Sequence, residues 1–292
     1  MAANIRHVIK PILRRSFSLN SSRNRITRIF TRYASSSLVE VQTQDQVATV
    51  VLNRKPVNSF TLEFLEEINT TLSDLENNRD IRGLILTSSL PKVFSAGLDL
   101  IKEMHNPDPK RLAVFWRGFQ EMWLQLYGSR LATIAVVNGH AIAGGCVLAS
   151  ACDYRIMAPN YSIGLNETVA GIAVPSWVSQ TLTNLVGKRV GERAALLGEM
   201  FSSDSALSSG LVDMVVSQEN LMAEAQKQMK RWLAIPDSGR SLTKHTIRRE
   251  MLENVRDKRE EDIKDFVSYV IRESTQKHVQ IQIDNIKQKS KK

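Results

Sequence analysis

The chain has 292 residues, 42% of them hydrophobic and 24% charged, which is enough to bury a sizeable core in one large or two modest domains. That composition excludes a disordered chain and a disulfide scaffold, and no apolar run approaches the roughly 18 residues of a membrane span. The net charge of +9 would point to nucleic acid if it covered the fold, but residues 1–39 hold eight of the positive side chains and no Asp or Glu, leaving the remainder near +1 (9 less 8).

Those eight are Arg6, Lys10, Arg14, Arg15, Arg23, Arg25, Arg28 and Arg32. An Arg-rich, Ser-rich, acid-free start reads as a mitochondrial transit peptide over 1–37, and a basic tail that binds nucleic acid is the other reading. The Ser content and the abrupt change at Glu40 favour a removable leader, and with it import into the mitochondrial matrix.

After the leader, "VATVVLN" (47–53) is β-branched and predicts a strand. Leu65, Ile68, Leu72 and Leu75 have helical spacing over 62–76, with Thr61 as N-cap. "IRGLILTS" (81–88) is nearly all apolar and predicts a strand buried on both faces. "SLPKVFSAG" reads as a loop. Over 110–127, Phe115, Phe119, Met122 and Leu126 share a helical face, with Trp116 and Trp123 beside it. "LATIAVV" (131–137) predicts a third buried strand, "NGHAIAGG" a glycine-rich turn, "CVLASA" a short helix and "DYRIMA" a fourth strand. This alternation implies parallel pairing through crossovers. Beyond about residue 175 the pattern turns helical. Ile263, Phe266, Val267, Val270 and Ile271 form one apolar stripe, and Val279, Ile283 and Ile286 another. Either the same subunit or a neighbour must cover them.

Chemistry is expected where buried strands end in glycine. "FSAGLDL" (94–100) follows one such strand and "GHAIAGGCVLA" (139–149) another. In a parallel sheet the carboxyl ends of strands face a common crevice, and two glycine-rich turns there can aim backbone N–H groups at one oxyanion. Taken singly, each loop is also readable as a plain turn. "SIGLNETVAGIAVP" (162–175) holds one carboxylate, Glu167, in an apolar segment with no basic neighbour in sequence. It is either an exposed loop residue or a desolvated base. Cys146 and Cys152 read as small buried hydrophobes in a reducing compartment. There is no CxxC or HExxH and the histidines are scattered, so no metal site is expected.

Together, "FSAGLDL", "NGHAIAGGCVLASACDYRI" and "IGLNETVAGIAVP" resemble, in order and spacing, the crotonase (enoyl-CoA hydratase/isomerase) superfamily over roughly 40–290. With "AIPDSGRSLTKHTIRR" (234–249) they resemble its 3-enoyl-CoA isomerase branch. The resemblance implies an α/β fold, a spiral of ββα turns over 38–235, and a C-terminal helical oligomerisation region over 236–292 that builds a homotrimer. It implies that Leu98 N–H and Gly144 N–H hold the thioester oxygen and that Glu167 is the catalytic carboxylate. Ser95, Ala96, Gly97, Leu98, Asp99 and Gly144 would contact an acyl-CoA substrate, with no cofactor, because coenzyme A belongs to the substrate. The implied reaction converts cis- or trans-3-enoyl-CoA to trans-2-enoyl-CoA in the β-oxidation of unsaturated fatty acids.

One position departs from the hydratases of that superfamily, which carry a second catalytic glutamate right after the "GGC" triplet. Here it is Val147. Hydratase activity is therefore the first alternative. An RNA-binding member is the second, disfavoured by the near-neutral body. A catalytically dead member is the third, disfavoured by the two loops and Glu167. Some roles stay open at this stage. Phe115 and Phe119 read as core, while Trp116 and Trp123 are candidates to line an acyl tunnel. Asp99 is a ligand contact or a helix cap. His140 and Asp153 read as structural.

Overall fold

The computed structural model describes residues 37–289, so all but the last residue of the expected leader lies outside the described residues. Strand β1 (Val39–Gln44) pairs antiparallel with β2 (Val47–Leu52). Helix α1 (Leu62–Asn77) begins at Thr61, whose side chain accepts from Phe64 N–H, as its sequence position predicted. Then come β3 (Gly83–Ser88), β4 (Lys92–Ser95) and α2 (Pro109–Tyr127). Asp108 caps α2 and Pro109 occupies its first turn.

The next turn of the chain is β5 (Ala132–Val137), β6 (Gly139–Ile142) and α3 (Gly144–Ser150), and the one after it β7 (Tyr154–Met157) and β8 (Ser162–Gly164). From β3 to β8 each ββ pair sends its first strand to one sheet and its second to another, whereas β1 and β2 share a sheet. One sheet has the order β1-β2-β3-β5-β7 and ends on β10 (Met214–Val215). The other is β4-β6-β8 with β9 (Met200–Ser202) antiparallel at its edge. From β2 onward the first sheet is parallel, as the alternation implied. The second sheet corrects the sequence reading. "SLPKVFSAG" and "NGHAIAGG" are not simply loop and turn, because Lys92–Ser95 and Gly139–Ile142 are strands that pair with each other. They are four residues long, one ending in Ser95 and the other beginning with Gly139, too short to show a period.

Helices α4 (Ser176–Val186), α5 (Lys188–Leu197), α6 (Ser203–Ser209) and α7 (Leu221–Leu233) complete the spiral, and α7 seals the outer face of β5 and β7 with Leu221, Ala225 and Met229. Three helices follow: α8 (Asp237–Asp257), α9 (Arg259–Val270) and α10 (Glu273–Lys289). The stretch 234–249 docks them. Asp237 takes Arg82 Nε at 2.6 Å. Lys244 Nζ donates to Leu131 O and to Asp153 Oδ2, both at 2.7 Å, and Arg248 reaches Asp153 Oδ1 at 3.0 Å. Asp153 also accepts from Thr133 N–H, so one buried carboxylate ties α8 to the core.

The C-terminal stripes are covered by their own subunit. Ile263, Phe266, Val270, Val279 and Ile283 are buried within the chain, while Ile271 and Ile286 stay about half exposed. The stripes therefore require no neighbour.

Candidate active site

Glu167 opens a short 3-10 turn, Glu167–Ala170, between β8 and α4. Three contacts hold that turn. Thr168 Oγ1 donates to Ala195 O at 3.0 Å, Tyr269 Oη donates to Gly171 O at 2.7 Å, and Gln282 Nε2 donates to Val169 O at 3.3 Å. The residue as a whole is half-buried, yet its Oε2 is out of reach of solvent and has no hydrogen-bond partner. Among the described residues Glu167 makes no ion pair. Burial pushes its carboxyl up from 4.5 to about 7, and its own backbone N–H, which favours the charged form, offsets less.

Glu167 faces a tight cavity of about 10 Å³, about the room one water molecule needs. Leu98, Gly144 and Val147 line it on one side, and Trp116, Phe119, Ile172, Val178 and Phe266 are among the apolar groups that complete it. Glu167 is the only ionisable side chain in that lining. The neighbouring thiol of Cys146 is pushed up to about 12 by burial, so it stays neutral and supplies no competing base.

The turn at Gly97 and the start of α3 meet at the cavity. Phe60 N–H donates to Gly97 O at 2.7 Å and Asp99 N–H donates to Phe60 O at 3.0 Å. This bridge turns the intervening Leu98 N–H away from Phe60. Ala143, just before α3, sits at φ 52°, a strained conformation for a side chain other than glycine's. That strain presents Gly144 N–H at the free end of α3. Within the described residues, neither Leu98 N–H nor Gly144 N–H donates to an acceptor. Gly97 has φ +82°, and a Cβ there would stand 2.9 Å from Gly144 N. The two N–H groups thus belong to loops in direct contact.

The structure divides the other expected site residues. Ala96 and Leu98 remain half exposed beside the cavity, with Gly97 buried between them. Ser95 is fully buried, and its hydroxyl donates to Asn58 O and accepts from Gly97 N–H. Its side chain shapes the loop and is not available to a ligand. Asp99 accepts from Arg54, Ser59 and Lys102 N–H, so the capping reading holds for its carboxylate, which caps a π-helical turn at Leu100–Met104. Of the aromatic pairs, Trp116 and Phe119 reach the cavity, while Phe115 and Trp123 are core. His140 Nδ1 accepts from Ser162 N–H, a structural bond between β6 and β8. The sequence reading missed Phe266 and Tyr269. Both arrive from α9, roughly a hundred residues beyond Glu167, and no local pattern links them to it.

Among the described residues no helix is long and apolar enough to cross a membrane, and no group of three or more His, Cys, Asp or Glu side chains could hold a metal ion.

Residues 42–289 match the enoyl-CoA hydratase/isomerase family. The mouse protein named enoyl-CoA delta isomerase 1, mitochondrial, is 44% identical over 254 residues, covering 86% of this chain and 88% of that one. The short-chain-enoyl-CoA hydratase of Clostridium acetobutylicum is 30% identical over 216 residues, covering 73% of this chain and 82% of that one. The crystal structure of human mitochondrial delta3-delta2-enoyl-CoA isomerase superposes with a TM-score of 0.85 at 43% identity, covering 87% of this chain and 99% of that one. The chain belongs to the enoyl-CoA hydratase/isomerase family, the crotonase superfamily.

Proposed function

We infer that this chain is a Δ3,Δ2-enoyl-CoA isomerase that moves the double bond of cis- or trans-3-enoyl-CoA to the trans-2 position. The observation that carries this reading is a single carboxylate, Glu167, with an unpartnered oxygen in an apolar cavity, where Val147 stands in place of a second one. The thioester oxygen accepts from Leu98 N–H and Gly144 N–H. Glu167 takes a proton from C2, and the electron pair of that C–H bond delocalises through C1 onto the oxygen as a dienolate. The two N–H groups are aimed where this charge develops, each contributing on the order of 3 kcal/mol. Glu167 then returns the proton to C4, the negative charge on oxygen collapses, and the double bond stands at C2–C3. A carboxyl raised to about 7 is matched to both halves of that transfer near neutral pH. The apolar lining excludes the water that a hydratase would add.

Ala96, Gly97, Leu98 and Gly144 contact the thioester end of the substrate through backbone, while Ser95 and Asp99 hold the loop. The chemistry asks for no cofactor. A spectrophotometric assay with 3-hexenoyl-CoA tests the reading, because conjugation of the double bond with the thioester in the 2-enoyl product adds an ultraviolet absorbance that the 3-enoyl substrate lacks. Hydration of 2-hexenoyl-CoA as the main activity would overturn it.

The reading extends to a transit peptide at 1–37 and to the mitochondrial matrix, supported by the acid-free basic leader and by the mitochondrial names of the mouse and human relatives. A reporter fused to residues 1–39 is expected in the matrix. It extends also to a homotrimer. Exposed Val169, Leu196 and Leu197 beside the Glu167 turn are an apolar face that a neighbour would cover. A monomer by light scattering at micromolar concentration refutes that assembly.

A further inference from the structure

Helix α9 supplies the wall at one end of the cavity. Phe266 lies flat on Trp116 of α2, with ring centroids 3.6 Å apart and 8° between planes, and both rings line the space that Glu167 faces. The Trp116 indole is also held by its rim, since Nε1 donates to Asp262 Oδ2 at 2.7 Å. The same oxygen accepts from Gln120 Nε2 at 2.6 Å and lies 3.4 Å from Trp177 Nε1. Asp262 precedes Phe266 by four residues, so the two stand one turn apart on the same side of α9. One helix therefore grips Trp116 by its face and by its edge. Asp262, Gln120 and Trp177 also line a larger, polar cleft of about 210 Å³. The Trp116–Asp262 bond is thus part of a partition between an apolar cavity and a polar cleft.

We propose that Phe266 and Asp262 set the acyl-chain length this site accepts, Phe266 as the stop at the far end of the cavity and Asp262 as the positioning residue that holds Trp116 against it. The inference rests on the isomerase reading above. The thioester is fixed at Leu98 and Gly144, and Glu167 must reach both C2 and C4. Carbons beyond C4 then run toward the remaining apolar wall, where Trp116, Ile172, Val178 and Phe266 stand. Of the stacked pair, Phe266 is the more exposed, at 7% against 2% for Trp116, so trimming it opens the cavity outward. A chain that extends through the opening gains about fourfold in binding for each methylene buried.

The test uses full-length protein and compares kcat/KM for 3-dodecenoyl-CoA with that for 3-hexenoyl-CoA; the ratio is the readout. The wild type is expected to turn over 3-hexenoyl-CoA with a ratio at or below about one. Phe266→Ala should raise the ratio at least about tenfold, and Phe266→Leu, which keeps most of the core contact, should raise it less. Asp262→Ala should raise it about fourfold or more, while Asp262→Asn, which keeps an oxygen for the indole N–H, should restore the wild-type ratio. Should Phe266→Ala fail to fold, Phe266→Leu decides. Unchanged ratios in the Phe266 variants, with 3-hexenoyl-CoA still isomerised, overturn the chain-length inference and leave the isomerase reading intact. A wild type inert toward both substrates overturns the isomerase reading itself.

Discussion

Glu167 destabilises the fold whenever it is ionised. Burial lifts its carboxyl from 4.5 to about 7, so between those pH values the folded protein keeps a proton that the unfolded chain releases. Stability therefore falls as pH rises from about 4.5 to 7 and levels off above. At about 1.36 kcal/mol per unit, a rise of about 2.5 units costs about 3 kcal/mol at pH 8 and less than about 1 kcal/mol at pH 5. Glu167→Gln keeps the size and removes the ionisation. Urea unfolding at pH 5 and pH 8, at fixed protein concentration because assembly shifts the midpoint, measures the difference. The variant should be more stable than wild type by about 3 kcal/mol at pH 8 and within about 1 kcal/mol of it at pH 5. Equal stability at both pH values, or a loss at pH 8, would mean that the carboxylate has a charge-stabilising partner, and the desolvated-base account would fail.

The same proton governs rate. kcat/KM for 3-hexenoyl-CoA should rise about tenfold per unit below pH 7 and flatten above it, and a profile flat from pH 5 to 9 would contradict the shifted carboxyl. Gly97→Ala places a Cβ 2.9 Å from Gly144 N at a φ of +82°, so the oxyanion loops must part; kcat/KM should fall about 10²-fold or more, and a near-wild-type rate would refute the role of those loops. Asp153→Ala strands the buried Lys244 and leaves Arg248 unpaired, which should cost about 3 to 5 kcal/mol in chemical denaturation; an unchanged midpoint would refute the docking role given to 234–249.

The parts of this molecule that were legible in the sequence are those whose signal is local. The apolar Leu84–Leu86 at the centre of β3 and the Thr61 cap before α1 both mark their elements by neighbouring residues alone. The second sheet was not legible in that way, because β4, β6 and β8 are three or four residues long and the first two read as a loop and a glycine-rich turn. The candidate site split along the same line. Leu98, Gly144 and Glu167 sit in stretches that singly read as plain turns or an exposed loop and stand out only in combination, and the fold gathers them at one cavity. Asp99 and Ser95 looked like ligand contacts because they flank Leu98, yet side-chain direction, which spacing does not report, gives both internal partners. Trp116 and Trp123 are seven residues apart on one helix, and only the arrival of α9 decides that the first meets the cavity and the second the core. Phe266, Tyr269 and Asp262 could not be found at all without the tertiary fold.

The most direct test of the central claim is steady-state turnover of 3-hexenoyl-CoA by wild type and Glu167→Gln at pH 8. With Glu167 as the one proton carrier, the variant should lose about 10² to 10⁴ in kcat while KM moves little, because the backbone N–H groups that hold the thioester are untouched. A Glu167→Gln protein that kept most of its isomerase rate would assign the proton to another group and contradict the account.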